Sequence, residues 1–394
     1  MGLPNALVVG YFALVGAVLG SFLNVCILRW GAEPKQSVMY PPSRCPSCGH
    51  AIRWYENVPV VSWLLLRGKC SGCRAGISPM YPAIEATTAL FWGGAVALLG
   101  LGLPAIELAV AATLLLGIAV SDARAFIIPH EFSLGGTAIA LAFAAWPDAA
   151  GVPDAIRGAL FGAGLVLLVG EVTELVVGQE AMGGGDCALM GMIGAFFGWE
   201  AVWPVVALGA FISIVLHVAA ALRRRAPEVE DTGGAPAPGL RWGKVIQLLA
   251  GGLVLGGLMG VAARAGVVGW ILRAGFYAVV GAGAAYYVSF LLPRRMPAGS
   301  LTQVWGLVGA AIGVAIGTAH WAGLLAALAV GGGALAWASR RTVTASPATT
   351  DELSAHGYLP FGVGLSIAAA LLAFTGGFER VREIFAEIAP GLGL

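Results

Sequence analysis

The sequence is poor in charge: Asp, Glu, Lys and Arg make up 11% of its 394 residues, and lysine occurs three times. An average soluble domain has roughly 25% charged residues, so this chain has too few charged side chains to form the polar surface of a water-soluble protein of this length. A hydrophobic content of 58% excludes a disordered chain. Six cysteines in so long a chain exclude a small disulfide scaffold. The net charge of +1 offers no basic field for nucleic acid. The class that remains is a polytopic membrane protein.

Long apolar runs dominate the chain. A membrane-spanning helix needs roughly 20 mostly apolar residues, and about twelve runs qualify. They lie near 6–28, 84–102, 105–121, 132–147, 154–178, 186–200, 202–222, 243–262, 268–292, 301–318, 321–338 and 357–377. The first run has no short apolar region followed by a cleavage site, so we expect a retained helix rather than a signal peptide. The sequence therefore predicts an all-α fold with about 12 transmembrane helices.

Basic residues set the predicted orientation. The loop 29–82 carries seven Arg or Lys residues against two Glu, and we place it in the cytoplasm. Alternating the helices then brings the basic clusters that begin at Arg223, Arg294 and Arg340 to the same face. The N-terminus falls on the opposite side of the membrane.

Composition divides the chain into five parts. They are a first transmembrane helix (1–28), a cytoplasmic segment (29–82), a transmembrane core (83–222), an inserted linker with extra helices (223–355), and a final helix with a tail (356–394). The stretch 226–240 is rich in Pro and Gly, which is typical of a flexible linker.

Four of the six cysteines form two Cys-x-x-Cys pairs in the segment 29–82. Cys45 and Cys48 form the first pair, Cys70 and Cys73 the second, and 21 residues separate the pairs. Four thiolates suit a closed tetrahedral Zn²⁺ site, which is structural rather than catalytic. A cytoplasmic location argues against disulfides. We expect a zinc ribbon, and weigh against it four unrelated buried cysteines or replacement of one ligand by His50.

Six aspartates are present, and two of them occur where predicted helices meet the cytoplasmic face: Asp122 and Asp186. The other four lie in polar linkers or flank an outside turn: Asp148, Asp154, Asp231 and Asp351. A carboxylate at a membrane boundary is a candidate functional group. Two carboxyls brought together share a proton, so that one activates water while the other donates to a peptide carbonyl.

Glycines precede the second of these aspartates. Gly183, Gly184 and Gly185 carry no side chains and would let an extended substrate backbone approach Asp186. An aspartate at a helix end is equally typical of a helix cap or a surface charge. The residues alone leave these interpretations open.

Five stretches, in order, resemble the type IV prepilin peptidase family. They are GSFLNVCILR (20–29), PPSRCPSCGHAIRWYENVPVVSWLLLRGKCSGCRAGISPMYPAIE (41–85), SDARAFIIP (121–129), MGGGDCALMGMIGAFFG (182–198) and LPFG (359–362). The resemblance implies a membrane-embedded aspartic endopeptidase of the GxGD type, with Asp122 and Asp186 as the catalytic pair. It also implies that the four paired cysteines bind the zinc of a cytoplasmic module.

The family's substrates and cofactors follow from the same resemblance. It implies cleavage of prepilin or pseudopilin leaders at the cytoplasmic face of a bacterial inner membrane. It also implies N-methylation of the new N-terminus with S-adenosylmethionine, for which the sequence has no Rossmann-type glycine fingerprint. The chain departs from the family at three positions: His130 follows the Ile-Pro, Ala188 replaces a lysine, and Val363 interrupts a PFGP motif.

Two other classes compete with the peptidase. A transporter or channel that retains a peptidase-like core is compatible with about twelve spans, but no matched pair of broken helices marks a midplane site. An interaction protein with an inactive core is the third interpretation, and the two aspartates in place argue against it.

Overall fold

The computed structural model describes residues 3–223, except Glu33, Asp148, Ala150 and 178–181, together with Val279 and residues 361–383. Apart from Val279, the predicted spans between 243 and 338 lie outside the described residues. The helices have the bounds α1 Leu3–Trp30, α2 Val61–Leu65, α3 Met80–Leu99, α4 Leu103–Ala125, α5 His130–Ala144, α6 Val152–Val177, α7 Gly184–Phe197, α8 Val202–Arg223 and α9 Phe361–Phe374. Nearly all of them belong to one compact unit, formed by residues 1–215 and 345–382.

Helices α1, α3 and α4 pack against one another. Gly16 and Gly20 lie on the face of α1 that meets α3. A Cβ at Gly16 would lie 2.6 Å from the carbonyl oxygen of Thr88, and one at Gly20 would lie 2.8 Å from the Cα of Glu85. Because small residues let helix backbones approach this closely, dispersion contacts can hold the helices together in a medium with no hydrophobic effect between them.

Helix α7 is the most enclosed element, since every residue from Cys187 to Phe196 is buried. It packs against α6 through glycines on both helices. Added Cβ atoms at Gly158 and Gly162 would collide with the backbone of Gly194 and Met190. The pair Gly158 and Gly162 has the small-xxx-small spacing that is typical of close helix crossings in membranes.

Helix boundaries follow from local sequence. Helix α4 begins next to Pro104, whose missing N–H is not needed in the first turn. It ends at Phe126, which adopts a left-handed conformation with φ of 53° and donates its N–H to the Asp122 carbonyl at 2.9 Å. Helix α7 is capped by Gly183 and ends at Gly198, where φ is 89°. These stops place Asp122 in the last turn of one helix and Asp186 in the first turn of another.

The prediction of a helical membrane protein is confirmed, and the count of 12 spans is not. Five described helices are long and apolar enough to span a membrane, and α9 with the bent segment Gly377–Glu383 would make a sixth. Helices α5 and α7 are shorter than the predicted runs, with 15 and 14 residues. Helix α5 begins two residues before its predicted run and ends at Ala144, three residues before the end of that run, and Gly198 ends α7.

The segment between α1 and α3 is compact and irregular. In the described part of the chain no β-strand is present, and this segment has two isolated bridges, between Arg44 and Ala51 and between Lys69 and Gly76. Each bridge closes the loop that carries one Cys-x-x-Cys pair. The short helix α2 and a 3₁₀ turn at Trp54–Asn57 lie between the two loops.

Candidate active site and metal centre

The four paired cysteines converge on one point. Their Sγ atoms all lie within 4.8 Å of one another, and the Sγ atoms of Cys45 and Cys73 are 3.8 Å apart. Four sulfurs held about 2.3 Å from a tetrahedral Zn²⁺ are themselves about 3.8 Å apart. The donor set and its spacing therefore fit a four-coordinate metal ion.

The two loops that present the cysteines are built alike. The N–H of Cys45 donates to the carbonyl of His50 at 2.9 Å, and that of Gly49 donates back to the carbonyl of Cys45 at 2.9 Å. The second loop repeats the pattern, with the Cys70 N–H donating to the carbonyl of Ala75 at 2.8 Å. Gly49 has a φ of 72°, which glycine adopts without strain. The repetition turns two thiols from each loop toward the same centre.

Backbone amides stabilise a thiolate in the first loop. The N–H groups of Cys48 and Ser47 point at the sulfur of Cys45 and lower the pKa of that thiol to about 6. Metal ions bind the thiolate rather than the thiol, so these amides favour the metal-binding form of Cys45.

Glu56 braces the cysteine loops from one side. Its Oε2 accepts a hydrogen bond from the Arg53 N–H at 2.9 Å and another from His50 Nε2 at 3.0 Å. The Arg53 amide, followed by the hydroxyl of Ser71 and by His50, lowers the pKa of Glu56 to about 2. His50 Nε2 is thus engaged in a hydrogen bond with the Glu56 carboxylate. The cluster that could hold a metal consists of the four cysteines.

Asp122 lies in the last turn of α4 and is buried, with 6% of its surface exposed. Its Oδ2 accepts a hydrogen bond of 3.1 Å from the backbone N–H of Val363, in the first turn of α9. The positive end of a helix dipole therefore faces this carboxylate.

Asp186 lies in the first turn of α7, which follows the Gly183 cap. Its Oδ1 is buried and makes no hydrogen bond within the described part of the chain. Buried polar atoms normally have partners, so an unpaired one calls for an explanation such as a bound water or a catalytic role. Gly185, next to Asp186, and Gly362, next to the Val363 amide that binds Asp122, both pack against Ile128, so the two carboxyls belong to one site.

Ile128 closes the space between the helices that carry the two aspartates. A Cβ at Gly185 would lie 2.9 Å from the Cβ of Ile128, and a Cβ at Gly362 would lie 2.8 Å from its Cδ1. The same Cβ at Gly362 would lie 2.7 Å from Oδ2 of Asp122. Absence of a side chain at these two glycines is therefore required for the observed packing.

The three predicted substrate-approach glycines lie in different surroundings. Gly183 and Gly184 are exposed, and a Cβ at Gly184 would meet nothing within 4 Å. Gly185 packs against Ile128 instead. Gly184 thus leaves open space at the start of α7, and a Cβ at Gly183 would lie 3.8 Å from Oδ2 of Asp186.

An ion pair joins the cysteine-bearing segment to the helix next to Asp122. Lys35 Nζ lies 2.7 Å from Oε1 of Glu131, in the first turn of α5. The two side chains are 50% and 34% exposed.

Several contributors to the site carried no sequence signal of their own. Gly362 and Ile128 stand within quoted motifs, but nothing in the sequence indicated that they meet. Val363 acts through its backbone, which any residue except proline supplies. Glu85 offered a recognisable signal, since a carboxylate inside an apolar run needs a partner. It accepts a hydrogen bond of 2.7 Å from the N–H of Val60.

The fold and site define a class: a helical membrane protein with two carboxyls at adjoining helix ends and a four-cysteine cluster. Comparison with known proteins identifies a family within this class. The Bacterial Peptidase A24 N-terminal domain matches residues 14–99, and the Type IV leader peptidase family matches residues 108–218.

Whole relatives are similar over much of their length. The Prepilin leader peptidase/N-methyltransferase of Myxococcus xanthus is 36% identical over 233 residues, which cover 58% of this chain and 68% of that protein. Its namesake in Pseudomonas aeruginosa is 35% identical over 246 residues, covering 57% and 83%. The Burkholderia pseudomallei protein of that name is 31% identical over 279 residues, covering 64% and 90%. No solved structure matches the chain.

The chain belongs to the type IV leader peptidase family. The resemblance drawn from the five motifs is thereby confirmed, and nothing in the comparisons favours the transporter interpretation.

Proposed function

We propose that the protein is a membrane-embedded aspartic endopeptidase that removes the leader from type IV prepilins or pseudopilins, with Asp122 and Asp186 as its catalytic pair. The observation that carries this assignment is the different environment of the two carboxyls within one site. Oδ2 of Asp122 accepts a hydrogen bond from the α9 N-terminus, whereas Oδ1 of Asp186 is buried without a described partner.

The two environments divide the catalytic roles. Asp122, whose Oδ2 accepts the Val363 N–H, is assigned as the general base, and Asp186, whose Oδ1 is buried without a described partner, is assigned the shared proton. Asp122 takes a proton from water as the water oxygen bonds to the scissile carbonyl carbon, and Asp186 gives its proton to the carbonyl oxygen. Asp122 then passes its proton to the leaving nitrogen as the C–N bond breaks. Asp186 recovers its proton when the new carboxyl group forms.

The start of α7 is the proposed approach for the substrate. Gly183 and Gly184 are exposed beside Asp186, so an extended peptide backbone meets no side chain there. Water must also reach both carboxyls, and the exposed end of α7 supplies that access.

The cysteine cluster is proposed to hold a structural Zn²⁺. Cys45, Cys48, Cys70 and Cys73 would be its four ligands, and a closed sulfur tetrahedron leaves no position for catalysis. When bound, the ion would fix the fold of the segment between α1 and α3. Positive charge in 29–82 supports a cytoplasmic location for this segment and for the adjacent aspartates, in a bacterial inner membrane.

Methylation of the new N-terminus with S-adenosylmethionine is proposed as a second activity. The name of the relatives, Prepilin leader peptidase/N-methyltransferase, supports it. The five-part division of the chain is likewise proposed, with 223–355 as an insertion between the core and its last helix.

Co-expression with a prepilin tests both activities in one measurement. Mass analysis of the mature pilin N-terminus should give the sequence after the leader, heavier by the mass of one methyl group. An intact leader in cells that contain the protein at normal membrane level would overturn the peptidase assignment. A cleaved but unmethylated N-terminus would overturn methylation alone.

A further inference from the structure

An apolar surface is exposed on the segment that joins α1 to α3. Trp54, Leu64 and Leu65 are 83%, 61% and 78% exposed, and Val58 and Val61 share the same stretch of chain. We call these five residues the apolar face. Exposed apolar patches of this kind mark sites of contact with a protein or a membrane.

Residues on the opposite side of α2 fix the orientation of this apolar face. Ser62 is buried on the opposite side of α2, and its Oγ donates to the Tyr55 carbonyl at 3.0 Å. Trp63 turns inward as well, and its Nε1 donates to the carbonyl of Ile77 at 3.1 Å. Because inward residues anchor α2 to the cysteine loops, the apolar face points away from them.

A hydrogen bond sets the depth of α2 relative to the membrane. The N–H of Val60, which precedes α2, donates to Oε2 of Glu85 at 2.7 Å. Helix α3 has 20 residues, about 30 Å, so its full length is needed to cross the hydrocarbon core. Glu85 lies five residues from the start of α3, a rise of about 7.5 Å. Helix α2 therefore begins about 7.5 Å below the first residue of α3, within the depth of about 5–10 Å to which interfacial helices bury their apolar face.

Charge beside the apolar face is positive. Arg53, Arg67 and Lys69 are exposed next to it. The nearby acidic residue, Glu56, is turned inward onto His50 and the Arg53 amide. Apolar residues flanked by exposed Arg and Lys are typical of elements that lie in the interface of an anionic bilayer.

We propose that residues 54–65 form an interfacial anchor whose apolar face enters the headgroup–acyl boundary of a bilayer containing anionic phospholipid. The occupant of the face is lipid, because the bond to Glu85 holds α2 at that depth and both flanking helices are spans. The anchor holds the four-cysteine cluster on the side of α2 that faces away from the bilayer. It does not depend on the proposed peptidase activity.

Fluorescence quenching in nanodiscs tests the proposal on the full chain. A fluorescent amino acid replaces Leu65 or, as the matched control, Ala51, which is exposed on a cysteine loop of the same segment. The nanodiscs contain phosphatidylglycerol, phosphatidylethanolamine and a lipid that carries a spin label at a shallow acyl position. The probe at position 65 should be quenched several-fold more strongly than the probe at 51. Equally weak quenching at both positions would overturn the anchor.

Two further measurements separate lipid from other occupants. Replacing phosphatidylglycerol by phosphatidylcholine, or introducing Arg67→Gln with Lys69→Gln, should reduce quenching at 65; unchanged quenching would overturn the role of anionic headgroups. A photo-crosslinking amino acid at Leu65 in cells should label phospholipid. Labelling chiefly of another protein would assign the surface to a protein partner instead.

Discussion

The backbone N–H of Val363 donates a 3.1 Å hydrogen bond to Oδ2 of Asp122, across 241 residues of chain. The contact brings the N-terminus of α9 to the last turn of α4. One of the two proposed catalytic carboxyls therefore accepts a hydrogen bond from α9. The side chain of Val363, which departs from the family motif, is not what makes this contact.

Substitution of Gly362 should damage catalysis more than the fold. A Cβ at this position would lie 2.7 Å from Oδ2 of Asp122 and 2.8 Å from Cδ1 of Ile128. Gly362→Ala should therefore displace the carboxyl and lower kcat/KM for leader cleavage by roughly 10²-fold, the effect of a shift of about 1 Å.

Gly135→Ala is the matched control, since a Cβ there meets nothing within 4 Å. It should keep full activity and stabilise α5 by up to about 1 kcal/mol. Equal activity of the two variants would mean that Gly362 does not shape the site.

Loss of the Glu85 carboxylate should destabilise the junction between α2 and α3. Glu85 is 8% exposed and accepts the Val60 N–H at 2.7 Å. Glu85→Ala leaves that amide unpaired, at a cost of about 1–3 kcal/mol. Glu85→Gln keeps an acceptor and should retain most of the stability. Thermal unfolding in nanodiscs is monitored by proteolysis between α1 and α3. The unfolding midpoint should be highest for the parent protein, lower for Glu85→Gln and lowest for Glu85→Ala. Indistinguishable midpoints would refute the stabilising role of Glu85.

The ion pair between Lys35 and Glu131 should couple the cysteine-bearing segment to the active site weakly. Its side chains are 50% and 34% exposed, so the pair contributes about 0–1 kcal/mol. Glu131→Lys should lower kcat/KM a few-fold, more at low ionic strength, and adding Lys35→Glu should restore it.

A reversal of the Arg157–Asp154 pair serves as control, because that pair is also exposed and lies at the start of α6. It should leave kcat/KM unchanged. No rescue by the double reversal at the first pair would argue against direct coupling.

Removal of two cysteines should release the metal and loosen the segment they hold. Purified protein should contain about one Zn²⁺ per chain, held by four thiolates. Cys45→Ser with Cys70→Ser should lose the ion and lower the melting temperature, as read by elemental analysis and thermal scanning. Cys26→Ala, in α1 and outside the cluster, should keep the ion. Loss of metal without a change in melting would contradict the structural role.

Sequence reasoning reached the chemistry-bearing side chains because such residues are rare in this chain. Six aspartates and two Cys-x-x-Cys pairs could be considered individually, and Asp122, Asp186 and the four cysteines emerged in this way. The structure brings the four cysteines together. The catalytic roles of the two aspartates stay predictions.

Backbone contacts and packing were beyond the sequence. The amides of Val363 and Val60 carry no signature, since almost every residue offers the same donor. The meeting of Ile128 with Gly185 and Gly362 depends on how three helices cross, which no local pattern records. Helix lengths were overestimated at α5 and α7 because apolar runs continue past the residues that end these helices.

Leader cleavage by the two aspartate variants tests the central claim most directly. Asp122→Asn and Asp186→Asn remove either the base or the proton donor with little change of shape. Each should lower the rate of prepilin processing by roughly 10⁴-fold at unchanged membrane level, while Asp154→Asn, in the exposed pair with Arg157, should process normally. Processing that persists in either variant at a rate near that of the parent would contradict the account.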